Sequence, residues 1–144
     1  MAYSVLNDLK KMIPEESLIQ LTDDEGYGTV NQTRIDEAIA QADAEIDSYC
    51  GGKYSIPFAA PVPDIVKKIS VDIAIYNLYS RRVEVIPDVR TDRYKNAIRQ
   101  LEGISKGIIS IGEDPAPAAP TTGGVKTNKT DNDRTFTKTK LEGF

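Results

Sequence analysis

The chain has 144 residues, 40% of them hydrophobic and 28% charged, with a net charge of −4, one cysteine and no histidine. That length suits one domain with an appendage. Without histidine the Ser-His and Cys-His nucleophile pairs cannot be built and the commonest nitrogen ligand for zinc is missing, while Cys50 alone closes no internal disulfide and reads as a small buried hydrophobe in a reducing compartment.

At the N-terminus, Ser4 is placed to cap a short helix running to about Met12, and Pro14 at a first helical position opens a second over "PEESLIQL". The stretch that follows, "LTDDEGYGTVN", crowds acids into a glycine turn in the manner of a calcium loop. An EF-hand needs oxygens at positions 1, 3 and 5, glycine at 6 and a glutamate at 12. Counted from Asp23, the chain offers Asp23, Glu25 and Tyr27, then Gly28 in place and Arg34 at the twelfth position. Two ligands are lost, one of them to a cation, so the stretch predicts a tight turn with Gly26 and Gly28 free to adopt positive φ. No metal or other cofactor is expected.

From Thr33 to Cys50, Ile35, Ile39, Ala42, Ile46 and Tyr49 recur at three- and four-residue intervals, Thr33 with Asp36 gives a capping-box pattern, and Gly51-Gly52 ends the helix. Asp36, Asp43 and Asp47 share a stripe about a quarter-turn from that apolar face. They read as a solvated face or, in a ring of subunits, as the lining of a channel that DNA crosses without sticking. "KYSIPFAAPVP" holds three prolines and predicts an extended, buried crossover. A helix from Pro63 to about Arg82 is apolar on nearly every side in its second half and belongs at the centre. Asp72 interrupts it and is expected to be hydrogen-bonded by a nearby tyrosine or arginine, because an unpaired buried carboxylate is costly. A last helix, from about Asp88 to Lys106, places Tyr94, Ala97, Ile98, Leu101 and Ile104 on one face, and Gly107 stops it. Ile35, Ile39, Ile46, Ile69, Ile73, Leu78, Ile98 and Leu101 are the expected core. Arg81, Arg82, Arg90 and Arg93 flank the corner before the last helix, where they suit carboxylates of an adjacent subunit or ordinary surface pairing.

"IISIG" predicts a short strand or extended segment, and "DPAPAAPTTGG" removes both helix and sheet. The chain therefore divides into a helical domain over 1–113, a Pro/Gly linker over 114–124 and an extended arm over 125–144. The arm alternates, with Arg134, Phe136, Lys138 and Lys140 on one side and threonines on the other, a pattern that suits adding a strand to a partner's sheet edge. Arg134, Phe136, Leu141 and Phe144 are its docking residues; a disordered solubilising end is the plainer reading. The fold class is thus mainly α, a compact bundle of about four helices with a short extended or β arm.

No apolar run approaches the roughly 18–20 residues that cross a bilayer, and "MAYSVLNDLKKMIPEE" lacks the pattern of a secretory leader, so no membrane partner is expected. Residues 1–120 carry 13 Lys+Arg against 19 Asp+Glu, a net of −6, and residues 121–144 carry 5 against 3, a net of +2. An acidic body repels nucleic acid, which disfavours a small helical DNA-binding regulator, for which only "RRVEVIPDVRTDRYKNAIRQ" offers positive charge. A carboxylate-based enzyme using Asp36, Asp43 or Asp72 is the third class.

The stretches "DLKKMIPEESLIQLTDDEGYGTVNQTRIDEAIAQADAEIDSYCGGKYSIPF", "DIAIYNLYSRR", "RYKNAIRQLEGISKGIISIG" and "RTFTKTKLEGF" together resemble the Mu-like phage head-to-tail connector family, virion proteins once classed as a domain of unknown function. The resemblance covers most of the chain and departs at the turn, where relatives are aspartate-rich and this chain has Tyr27. It implies a non-enzymatic adaptor, made in the host cytoplasm, that forms a ring, by family expectation a dodecamer, at the virion neck beneath the portal. There it would enclose DNA and join the filled capsid to neighbouring neck or tail proteins. The residues agree in offering no plausible catalytic set, an acidic helical body suited to a conduit wall, and a long end whose weak contacts many copies would multiply.

Overall fold

Capping side chains and prolines divide the first 105 residues into helices α1 (Leu6–Lys10), α2 (Glu15–Thr22), α3 (Gln32–Cys50), α4 (Asp64–Arg82) and α5 (Asp88–Ser105) in the computed structural model, which describes residues 1–82 and 85–118. The mainly α bundle expected from the sequence is the architecture observed. Among the described residues no strand forms, "IISIG" included. Residues 83, 84 and 119–144 lie outside the description, and with them the end of the linker and the whole arm with Arg134, Phe136, Leu141 and Phe144.

The helices form where their apolar periodicity places them, but several termini use different caps. Val5 rather than Ser4 is the N-cap of α1, and the Asp8 carboxylate accepts from its backbone N–H at 3.2 Å. Ser4 is instead buried, its hydroxyl 2.8 Å from that of Ser70 on α4. Pro14 is the N-cap of α2, one position earlier than expected, leaving the first helical turn to Glu15 and Glu16, whose charges suit the positive end of the helix. For α3 the cap is Asn31, whose Oδ1 accepts from the Arg34 N–H at 3.3 Å, in place of the Thr33–Asp36 pair. Gly51 closes α3 without leaving right-handed space, and its missing side chain is what admits Ile56, since a Cβ there would stand 2.9 Å from the Ile56 Cδ1. Gly107 stops α5 at a φ of +76°, and the amides of Ile108 and Ile109 return to the Gly103 carbonyl.

Helix α4 is the hub, packed against α1, α2, α3 and α5, while α3 also touches α1 and α5. Its burial is nearly all round: Val66, Ile69, Val71, Ile73, Ala74, Ile75 and Leu78 are covered, and so are Ser70 and Asp72. Of the expected core, Ile98 alone is only partly buried; the other seven are fully enclosed, and each such aliphatic side chain contributes about 1.5–3 kcal/mol on leaving water. The crossover after α3 buries Tyr54 and Phe58, and the Phe58 ring packs at tilted angles against both Tyr54 and Tyr3, but the crossover exposes Ser55, Ile56, Pro57 and Ala59 to Pro61. It is therefore a strap held by two aromatic anchors rather than a buried segment. Beyond Gly112 the chain folds back along this strap, and the Ala116 N–H donates to the Lys53 carbonyl at 2.8 Å.

Candidate functional site

The carboxylates and arginines marked in the sequence fall into three places. At the corner between α2 and α3, Asp23 spends both oxygens on its own turn, accepting from the N–H groups of Gly26 at 2.8 Å, Tyr27 at 3.0 Å and Gly28 at 2.7 Å. The backbone can present those three amides because Gly26 and Gly28 take φ values of +78° and +70°. These bonds, the Gly28 amide foremost, hold the Asp23 carboxyl below its ordinary range. Asp24 faces the other way. Arg81 grips it with two nitrogens at 2.7 and 2.8 Å, Arg82 adds a contact at 2.9 Å, and Arg34 stands 3.6 Å away. The same two arginines donate to the carbonyls of Leu21 and Asp23 at 2.9 and 2.7 Å, which supplies the end of α2 with donors for its unpaired backbone oxygens. The calcium-like stretch is thus a corner riveted to the C-terminal end of α4. Among the described residues no group of three or more potential ligand side chains converges on a metal-sized site.

At the second place Asp72 receives Arg93 at 2.9 Å and Lys68 at 3.2 Å, with the carboxylate 2% exposed. The arginine partner expected for this buried acid is present. Arg90 lies 5.9 Å from the Tyr79 ring centre, a cation–π arrangement. Three of the four marked arginines therefore hold carboxylates of their own chain.

The third place is a cleft of about 560 Å³ between residues 1–6 and the outer face of α3, and all three aspartates of the stripe line it. Asp43 and Asp47 are half-buried, not solvated. Asp43 accepts from the Tyr3 N–H at 3.0 Å and from the Ser70 hydroxyl at 2.8 Å, while the Tyr3 hydroxyl donates to Asp47 and itself accepts from the Phe58 N–H at 3.1 Å. Tyr3 is 1% exposed and ties three segments together: the N-terminus, α3 and the strap. Burial, against the two hydrogen bonds and with the Asp47 charge nearby, pushes the Asp43 carboxyl up, and burial together with Asp47 pushes the Tyr3 hydroxyl up as well. Cys50 beneath them is raised to about 11, chiefly by burial, which leaves it a packing residue and not a nucleophile. Asp36 alone remains exposed, accepting from the Gln32 side chain at 2.8 Å. The floor is apolar, formed by Ile39, Ala40 and Ala44.

Tyr3 and Ser70 were not marked by the sequence. Tyr3 precedes the first helix and belongs to no periodic pattern, and Ser70 becomes informative only once α4 lies beside α3. The Asp24–Arg81 pair is equally silent, because 57 positions separate its members.

The family model described as "Bacteriophage Mu, Gp36" matches residues 3–129. A relative from Haemophilus influenzae, "Mu-like prophage FluMu protein gp36", is 33% identical over 84 residues, a stretch covering 58% of this chain and 57% of that protein. The matched span runs from the tyrosine that ties the cleft together, through every helix and the linker, into the first residues of the arm, and on that footing the chain belongs to the Mu Gp36 family of phage proteins.

Proposed function

We propose that this protein is a structural component of a tailed phage particle: a head-to-tail connector that forms a ring below the portal and joins the DNA-filled capsid to the tail. The observation that carries the reading is the family match over residues 3–129, joined to a body whose acids are used to hold its own fold together. A net charge of −6 over residues 1–120 keeps a passing duplex from adhering to a conduit wall. Contacts between copies form at the corner before α5, where Val85 and Val89 are 79% and 63% exposed and Arg90 stands beside them. Arg134, Phe136, Leu141 and Phe144 form the arm that reaches the portal or a neighbouring ring protein. Any DNA contact is enclosure without sequence recognition, because Arg81, Arg82 and Arg93 are already neutralised by Asp24 and Asp72.

Deletion of residues 121–144 tests this. The truncated chain should keep its helical circular dichroism yet be absent from purified particles, while the full chain is found at the neck by electron microscopy of intact virions. Particles that incorporate the truncated chain at undiminished copy number would remove the arm's role. A purified chain that retards duplex DNA in a salt-dependent way, and is missing from particles, would favour a DNA-binding regulator instead.

A further inference from the structure

The cleft beside α3 holds three carboxylates, of which, among the described residues, only Asp43 feels a cation of its own body, the N-terminal ammonium at the rim. Asp24 and Asp72 each have at least two basic partners, whereas among the described residues none of Asp36, Asp43 and Asp47 lies within 4.0 Å of a lysine or arginine. Three carboxylates around an apolar floor select a cationic segment that also carries a hydrophobic side chain. The chain has such a segment outside the described residues: "RTFTKTK", Arg134 to Lys140.

Spacing sets the register. Along a helix, Asp36 to Asp43 is a rise of about 10 Å and Asp43 to Asp47 about 6 Å. Along an extended chain, Arg134 to Lys138 spans about 13 Å and Lys138 to Lys140 about 7 Å, all on one side. Laid parallel, the two series differ by about 3 Å or less at each step, within the reach of arginine and lysine stems; laid antiparallel, the long and short gaps oppose each other. The chain is also long enough. Ala116 is fixed to Lys53, just beyond the C-terminal end of α3, and the 15 residues from 119 to 133 can span about 50 Å against about 28 Å for the whole of α3.

We propose that residues 134–140 lie extended in this cleft, parallel to α3, with Arg134 at Asp36, Phe136 on the floor of Ile39, Ala40 and Ala44, Lys138 at Asp43 and Lys140 at Asp47. This deepens the docking-arm part of the proposed function by naming the surface that receives the arm, and it takes the choice of segment from that reading. The acidic stripe is then a receptor for the arm and not a channel lining.

The test uses the full chain with Phe136→p-benzoylphenylalanine, photo-crosslinked and mapped by mass spectrometry, in an equal mixture of isotopically heavy and light protein. The expected crosslinks fall between residues 36 and 47 or within residues 1–6. Asp36→Arg, at an exposed position that leaves the Tyr3 network intact, should lower their yield roughly fivefold, as should Arg134→Asp, and the double exchange should restore it. Heavy-to-light crosslinks place the arm in a neighbouring copy and support both readings. Crosslinks confined within one copy support the cleft while refuting an arm that reaches a partner. Crosslinks mapping elsewhere, or a yield indifferent to Asp36→Arg, overturn the inference and leave the connector reading to the deletion experiment.

Discussion

Tyr3→Phe removes one oxygen and keeps the ring, so it isolates the tie that joins the N-terminus, α3 and the strap. The ring still packs against Phe58 at 5.6 Å, and no cavity is made. What disappears is the bond to the Asp47 carboxylate and the acceptor for the Phe58 N–H. A hydrogen bond to a charged group contributes about 1.5–3 kcal/mol, and a buried amide left without a partner costs about 1–3 kcal/mol. Water reaches the half-buried Asp47 and offsets part of the first, which leaves a net loss of about 2–4 kcal/mol. With a urea slope of about 1–3 kcal/mol per molar, the midpoint should fall by on the order of 1–2 M at unchanged slope. Equilibrium unfolding followed by circular dichroism at 222 nm measures it, with Tyr27→Phe as the control, because Tyr27 is 76% exposed and its hydroxyl has no hydrogen-bond partner among the described residues. A Tyr3→Phe midpoint indistinguishable from that of the control would refute the hub role.

Arg93→Ala leaves the buried Asp72 carboxylate with Lys68 alone, and the unfolding free energy should drop by about 1–3 kcal/mol, recovered in part by adding Asp72→Asn; an additive double mutant would show the two groups are not coupled. Among the seven tyrosines, Tyr94 is pushed up to about 12, first by burial and then by its bond to Glu45, and Tyr3 is pushed up too. Both folded values lie above the ordinary value near 10, so their stabilising share is complete below pH 10 and is lost as pH rises through the folded values. An absorbance titration at 295 nm should show two late-ionising tyrosines, one of which vanishes in Tyr94→Phe; a single step near pH 10 in still-folded protein would contradict this. Asp24 is held below its ordinary range, chiefly by Arg81, so its contribution is present above the ordinary value of 3.8 and is lost as pH falls through the folded one. Asp24→Asn should therefore cost more stability at pH 6 than at pH 3, as read by urea midpoints, and an equal offset at both would remove the ion pair as the cause. Asp43 acts in the opposite sense: its carboxyl is raised by burial, and its unfavourable share grows as pH rises above 3.8.

The sequence by itself determined the helices, their order and the face each one buries, because a 3.6-residue period and the punctuation of Pro14, Gly51, Pro63, Pro87 and Gly107 are local information that the backbone reads locally. It also predicted the tight turn of the DDEGYG stretch, which Gly26 and Gly28 make at positive φ. Only the tertiary structure decided what the polar residues do. Asp36, Asp43 and Asp47 look equivalent along α3, yet the arrival of Tyr3 from 40 positions away buries two of them and leaves one in water. Arg81 and Arg82 look free at the end of α4 until the corner at Asp24 is laid against them. A hydrophobic face needs only to be covered, by whatever comes. A carboxylate needs a particular donor at hydrogen-bond distance, and where that donor lies in the chain is fixed by packing, not by spacing.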